Sequence, residues 1–125
     1  MKKFMSALSL MAAFILLSIS SATAQTGVVT DTLTVNGDCN MCKKKIETAC
    51  FGLKGIKKAN WDDEKLVLVV SYDTSKTNAD AILKRIALLG YDNEKYKAED
   101  KAYKSLPECC QYDRSRITTV EPKKQ

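Results

Sequence analysis

A run of alternating side chains at residues 65–72 constrains the fold of this chain more than any other feature of its sequence. Successive side chains of a β-strand point to opposite faces, so every second residue of the run shares a face. One face would carry Leu66, Leu68, Val70 and Tyr72, and the other would carry Val67, Val69 and Ser71. Because β-branched and large apolar residues fill the run, it predicts a strand within a sheet.

The elements predicted around this strand follow a β-α-β-β-α-β order. They are a strand at 32–35 that starts as early as Val28, a helix at 40–51 capped by Asn40, a strand at 56–61, the strand at 65–72, a helix at 78–89 followed by Gly90, and a weaker strand at 93–98. This order predicts the α+β class, as a ferredoxin-like sandwich of four antiparallel strands with both helices on one face. Residues 99–106 predict a short helical extension that ends before Pro107.

The predicted topology has two consequences. The turns at 36–38, 62–64 and 90–91 should lie at the same end of the sheet, which places Tyr91 near the first strand–helix turn. Val67 and Val69 should face away from the helices. The C-terminal segment or a partner then covers them, or they remain partly exposed.

The first 24 residues predict a secretory signal peptide. Lys2 and Lys3 precede an apolar run, and the segment ends in an Ala22-Thr23-Ala24 cleavage pattern. The alternative, an uncleaved membrane anchor, would need a longer apolar run. We therefore expect export to the periplasm or the extracellular space, with no membrane association after signal removal. The predicted division is 1–24 for the signal peptide, 25–98 for the main domain and 99–125 for an extension with a cysteine pair and a polar tail.

Composition excludes one class of partner. Removal of Lys2 and Lys3 with the signal peptide lowers the formal net charge from +5 to +3. The basic residues are not interleaved with aromatic residues, so the chain lacks a nucleic-acid-binding pattern. The cluster Lys43-Lys44-Lys45 is expected to be either a solvated face or a docking patch for an acidic partner surface.

Cysteines carry the chemistry that the sequence predicts. The chain has five cysteines and no histidine, so a metal site must be built from thiolates, with carboxylates or methionine as alternatives. Cys39 and Cys42 form a C-x-x-C unit where a strand gives way to a helix. Free backbone N–H groups and the helix dipole should lower the pKa of these thiols, that of Cys42 in particular. Two such thiolates favour Cu(I), with Ag(I), Hg(II) or Zn(II) as alternatives.

The segment from Leu33 to Cys42, followed by Lys43-Lys44-Lys45-Ile46-Glu47, resembles the heavy-metal-associated domain family. This family includes periplasmic copper chaperones and the periplasmic mercury-binding protein, and the resemblance covers residues 29–98. It implies the β-α-β-β-α-β fold, metal held by Cys39 and Cys42, and a packing or gating role for Tyr91. The usual Gly-Met-Thr before the first cysteine is replaced here by Asn36-Gly37-Asp38, so Met41 is expected to refill the core position of the usual methionine.

Three further cysteines leave alternatives open. Cys50 lies on the apolar helix face and is expected to be a core residue. Cys109 and Cys110 could join the metal site or form a second one. They could also pair in a disulfide, linking two chains into a dimer, or simply pack. The odd number of cysteines leaves a monomer and a disulfide-linked dimer as the two expected states.

Three functional hypotheses follow. The first is a binding protein, not an enzyme, that holds a soft ion and passes it to a metal-transporting or metal-sensing partner. The second is a thiol–disulfide enzyme that uses the same pair, Cys39 and Cys42. The third is an interaction domain that contacts a partner through Val67, Val69 and the C-terminal segment.

Overall fold

A three-stranded antiparallel sheet organises the protein, whose computed structural model describes residues 27–117. The strands are β1 (Val28–Thr34), β2 (Ile56–Asp62) and β3 (Val67–Asp73), and their order in the sheet is β1-β3-β2. The helices are α1 (Asn40–Phe51), α2 (Ala79–Leu88) and the short α3 (Asp100–Lys104). No helix within the described range has the length and apolar character needed to cross a bilayer. The structure thus has the predicted α+β class.

The alternating run at 65–72 forms the central strand, as predicted. Leu68 pairs with Leu33 of β1 on one side and with Trp61 of β2 on the other. One face of the sheet is buried against both long helices. The sheet side of this core contains Leu33, Trp61, Leu66, Leu68, Val70 and Tyr72, and the helix side contains Ile46, Cys50, Ile82 and Ile86. On the opposite face Val67 is half-buried and Val69 is 39% exposed. These two valines were expected to be covered by the C-terminal segment or a partner, or to remain partly exposed. In the structure they are partly exposed.

The starts of the two long helices differ in their chemistry. Asn78 precedes α2, and its side chain accepts a hydrogen bond from the Ala81 N–H, which is the usual role of an N-cap residue. Gly90 follows α2 with φ of +111°, a conformation that favours glycine. The prediction that Asn40 caps α1 was wrong. The cap position belongs to Cys39, whose side chain makes no capping hydrogen bond.

The predicted fourth strand at 93–98 was also wrong. Only an isolated bridge pairs Val35 with Asn93. The Asn93 side-chain oxygen accepts hydrogen bonds from the N–H groups of Lys95 and Tyr96, and the Asn93 N–H donates to the Tyr96 carbonyl. These local bonds curl the backbone into a turn, so the segment cannot extend along β1.

The three loops predicted to meet at one end of the sheet do so. The Val35 N–H donates to the Leu66 carbonyl after the β2–β3 hairpin, and the Asn36 N–H donates to the Asp92 carbonyl after Gly90. The Asp62 carboxylate closes the hairpin by accepting from two backbone N–H groups. This end of the sheet carries the cysteine loop, and the C-terminal extension packs over it.

Candidate metal centre

Three thiols converge at the start of α1. The Sγ atoms of Cys39, Cys42 and Cys110 all lie within 4.8 Å of one another, and those of Cys39 and Cys42 are 4.0 Å apart. Cys42 and Cys110 are fully buried, whereas Cys39 is half-buried. Within residues 27–117 no carboxylate joins these three sulfur atoms. All five cysteines of the chain are free thiols.

The helix terminus acts mainly on Cys39. Backbone N–H groups of Cys42 and Met41 lie close to the Cys39 sulfur, and although neither makes a capping hydrogen bond, they lower the pKa of this thiol below its ordinary value. The structure shows this effect at Cys39, because the N-cap residue faces the free N–H groups of the first turn. Cys39 is therefore a half-buried thiol that ionises more readily than a free cysteine, and it lies next to two fully buried thiols.

Cys110 reaches the site from outside the sheet–helix sandwich. It ends a single 3₁₀ turn (Glu108–Cys110) that follows α3 and Pro107. Burial, and then its closeness to the Cys42 thiol, raises the pKa of Cys110 to about 12. The extension also meets Cys39 through its backbone, since the Cys39 thiol donates to the Cys109 carbonyl over 3.2 Å. A third sulfur thus faces the C-x-x-C pair.

Tyr112 holds the extension against the domain. Its buried hydroxyl donates to the Gly90 carbonyl over 2.6 Å and accepts from the Asp92 N–H over 2.7 Å. Its ring stacks on Tyr91 at 5.8 Å between centroids and receives the edge of Tyr103 at 5.1 Å. Such satisfied buried hydroxyls fix a segment in one position, so Cys110, two residues earlier, is held at the thiol cluster.

Arg114 provides a second attachment. Its guanidinium donates through Nε and Nη2 to both carboxylate oxygens of Asp92, over 2.8 and 2.7 Å, in the two-pronged geometry that favours arginine. Nη2 also donates to the Ala98 carbonyl and Nη1 to the Asp100 carboxylate. Nearby, the fully buried Asn36 side chain donates to the Asp113 carbonyl over 3.0 Å. The residues after Cys110 are therefore anchored to the segment that follows Gly90 and to the loop that follows β1.

Tyr91 lies beside the thiols of Cys42 and Cys110. This is where a packing or gating role, as implied by the family resemblance, would place it. Its side chain is fully buried, and its hydroxyl has no hydrogen-bond partner among the described residues. Burial first, and then the adjacent thiols of Cys42 and Cys110, raise the pKa of Tyr91, so the hydroxyl stays protonated. A buried O–H donor without a partner is costly, but it gains one when a neighbouring thiol ionises. Tyr91 thus offers a buried O–H donor beside the thiols of Cys42 and Cys110.

Met41 does not fill the core, contrary to expectation. It is 48% exposed on the outer side of α1. The space next to the cysteine loop is filled instead by Trp61, which is 1% exposed and donates through Nε1 to the Val35 carbonyl over 2.9 Å. The indole packs directly on Gly37, where an added Cβ would lie 2.7 Å from the ring. The indole ring therefore occupies the space next to Gly37.

The two remaining cysteines have different surroundings. Cys50 is 1% exposed in the core, as predicted, and burial followed by the charge of Glu47 raises its pKa to about 12. Cys109 is exposed, and its sulfur is not one of the three that all lie within 4.8 Å of one another. The adjacent pair Cys109-Cys110 is therefore divided between surface and interior.

The sulfur geometry fits a three-coordinate soft ion. With a metal–thiolate bond of about 2.3 Å, sulfurs at the corners of a planar triangle lie about 4.0 Å apart, and those of a linear site lie about 4.6 Å apart. The 4.0 Å between Cys39 and Cys42 matches the triangle, and the Cys110 sulfur lies within 4.8 Å of both.

Sequence reasoning named all three cysteines but missed the residues that assemble them. Trp61, Tyr112 and Arg114 were not assigned to the site. The aromatic and basic residues after Cys110 were the available signal, because a frayed polar tail has no need of a buried tyrosine.

Comparisons with known proteins identify the family of the domain that carries Cys39 and Cys42. The heavy-metal-associated domain matches residues 32–92. The CopZ metallochaperone is 30% identical, with 52% of this chain and 98% of that chain covered and a TM-score of 0.51. Oxidized MerP from Ralstonia metallidurans CH34 is 29% identical, with coverages of 54% and 94% and a TM-score of 0.51.

A third solved structure extends the likeness to transporters. The water-soluble region of the P-type ATPase CopA from Bacillus subtilis is 26% identical, with 57% of this chain and 48% of that chain covered and a TM-score of 0.52. No curated protein sequence matches the chain. The match at residues 32–92 and the likeness over nearly the whole of CopZ show that this chain belongs to the heavy-metal-associated domain family.

Proposed function

We propose that the protein is exported, holds one soft metal ion, principally Cu(I), between Cys39, Cys42 and Cys110, and transfers it to a protein partner. One observation carries the proposal: three thiol sulfurs lie within 4.8 Å of one another at a helix N-terminus, two of them in the interior. Thiolates select soft ions, and family membership supports metal binding by the C-x-x-C pair.

Cu(I) suits the donor set better than Zn(II) does. Structural zinc sites take four protein ligands, whereas in the described part of the chain the group of ligands that all lie within 4.8 Å of one another has three sulfur atoms. Cu(I) is soft and accepts three thiolates or two, so it needs no fourth donor. Ag(I) and Hg(II) share these preferences and are the competing cargoes. The CopZ relative is named a metallochaperone, which also supports a function in which the bound ion is transferred to another protein.

The chain's own groups suggest how cargo is held and released. Each thiol loses its proton to solvent when it binds the ion, and the buried Tyr91 hydroxyl, which lies beside Cys42 and Cys110, then stabilises one of these two thiolates by donating its single hydrogen bond to it. Cys39 is the only half-buried ligand, so a partner's thiolate reaches the ion on that side. The partner's sulfur adds as Cys39 leaves, and charge and ligand number are conserved.

A groove beside the site suggests the kind of partner. It has a volume of about 520 Å³, and Met41, Tyr91 and Leu106 contribute apolar surface to it. Basic side chains complete its lining: Lys44, Lys45 and Arg85. Lys43 is occupied elsewhere, because it pairs with Glu47 and donates to Asn60 and the Trp61 carbonyl. An acidic surface on a metal-transporting or metal-sensing protein would complement this groove.

Native mass spectrometry of the reduced protein tests the proposal. With Cu(I), Ag(I), Hg(II) and Zn(II) in competition, we expect Cu(I) to occupy the three-thiol site. The Cys39→Ser, Cys42→Ser double variant should lose it, Cys110→Ser should bind it more weakly, and Cys50→Ala is the matched control that removes a thiol elsewhere. Full Cu(I) binding by the double variant would overturn the assignment.

A redox role is the competing outcome. In a thiol–disulfide enzyme the same Cys39–Cys42 pair would reduce insulin disulfides with turnover, whereas a metal carrier would not.

Export is tested separately. If the protein is processed as proposed, material recovered from the periplasm or medium begins at Gln25, and recovery of a chain that retains residues 1–24 would refute it.

A further inference from the structure

Two exposed sulfur atoms lie side by side just outside the three-thiol site. The Cys109 thiol is 3.6 Å from the Met41 thioether, and the same thiol is 3.9 Å from the Cys110 sulfur. Cys109 is exposed, and Met41 is 48% exposed. Neither side chain therefore gains much from burial, and packing alone does not account for their placement.

The arrangement is continuous with the inner site. Cys110 is near Cys109 on its outer side and near Cys39 and Cys42 on its inner side. Five sulfur atoms thus run in an unbroken series from the exposed Met41 to the buried Cys42. Thiolate and thioether sulfurs select soft ions, so hard ions would find little to bind here.

We propose that Cys109, Met41 and Cys110 form a second, outer site for Cu(I), which shares the Cys110 thiolate with the inner site. This deepens the proposed function and rests on it. Binding is a simple exchange: the Cys109 thiol gives its proton to solvent, a copper–sulfur bond forms, and the Met41 thioether adds a neutral ligand. Copper remains Cu(I), so no oxidant or reductant takes part.

The two sites should differ in their affinity for Cu(I), because their ligands differ. The inner site has three thiolates, and two of them are shielded from water. The outer site has one thiolate of its own, a shared one and an uncharged thioether in open solvent, so it binds the ion less tightly. The inner site fills first, and the outer site is the place where an ion arrives before it passes inward through Cys110.

A Cu(I) titration of the reduced protein, followed by native mass spectrometry, measures the outer site. The wild-type protein should bind two Cu(I) ions in sequence. Cys109→Ser and Met41→Leu should each bind the first ion and either lose the second or bind it at least about tenfold more weakly. Met41→Leu keeps the apolar bulk and removes only the sulfur. Cys50→Ala, which removes a thiol from the core, should still bind two ions.

The outcomes separate this inference from the proposed function. If the wild-type protein saturates at one ion that Cys39→Ser, Cys42→Ser abolishes, the inner site stands and the outer site is refuted. If Cys109→Ser and Met41→Leu both retain the second ion at wild-type affinity, that ion lies elsewhere and the outer site is again refuted. If the wild-type protein binds no Cu(I), the proposed function itself fails.

Discussion

Arg114→Ala should release the C-terminal extension from the domain and expose Cys110. The guanidinium makes two hydrogen bonds to the Asp92 carboxylate, which is 3% exposed, and one to the Ala98 carbonyl. In the variant this carboxylate would keep the Ala98 N–H as a donor but lose Arg114, its one cationic partner within residues 27–117. The buried charge of Asp92 would then be left without a compensating positive charge beside it.

The size of the effect follows from that burial. Removing one partner of a buried ion pair costs roughly 3–5 kcal/mol. The Arg114 side chain is 21% exposed, so water partly replaces it and the lower end, about 3 kcal/mol, applies. The further pair with Asp100 adds nothing, since that carboxylate is 79% exposed. About 3 kcal/mol corresponds to roughly a hundredfold shift from docked to undocked extension.

Thiol alkylation followed by mass spectrometry reads this shift directly. In the wild-type protein Cys110 is fully buried and should react slowly. In Arg114→Ala the alkylation rate of Cys110 should rise by about a hundredfold while the core residue Cys50 stays protected. Arg114→Lys keeps the charge but not the two-pronged geometry, so its Cys110 should react at a rate between those of the wild-type protein and Arg114→Ala. An unchanged Cys110 rate, or equal exposure of Cys110 and Cys50, would refute the argument that Arg114 holds the extension.

Three other perturbations test the scaffold and the ionisation of the site. Trp61→Phe removes the hydrogen bond to the buried Val35 carbonyl and should cost about 1–3 kcal/mol in urea unfolding; no loss would show that the bond is dispensable. Gly90→Ala should cost about 1–3 kcal/mol by the same assay, because φ is +111° and the new Cβ would lie 2.8 Å from the Ala102 carbonyl oxygen. Because its pKa is lowered, Cys39 should be alkylated with a midpoint pH below that of a free cysteine peptide; an equal or higher midpoint would contradict the helix-terminus effect.

The fold was largely predictable because its signals are local. Alternation identified β3, and Asn78 and Gly90 marked both ends of α2. The predicted fourth strand failed because Asn93 bonds to its own neighbours, a competition that apolar patterning does not register. The order of elements survives such an error, since one isolated bridge still holds that segment beside the first strand.

The site was predictable only in part. Two cysteines separated by two residues at a helix start must lie close together, so Cys39 and Cys42 follow from spacing alone. Cys109 and Cys110 cannot be told apart in this way. Their difference depends on the path of the extension, which contacts made by Tyr112 and Arg114 determine. Those contacts join residues about 20 positions apart and have no short sequence pattern.

A ligand on the extension makes metal binding and docking one linked equilibrium. If Cys110 binds the ion, each ion bound by all three thiolates stabilises the docked extension, and each contact that holds the extension raises metal affinity by the same factor. Arg114→Ala should therefore weaken Cu(I) binding, but by no more than Cys110→Ser does, because undocking removes one ligand and leaves Cys39 and Cys42 in place. A larger loss would mean that the extension shapes the C-x-x-C loop itself.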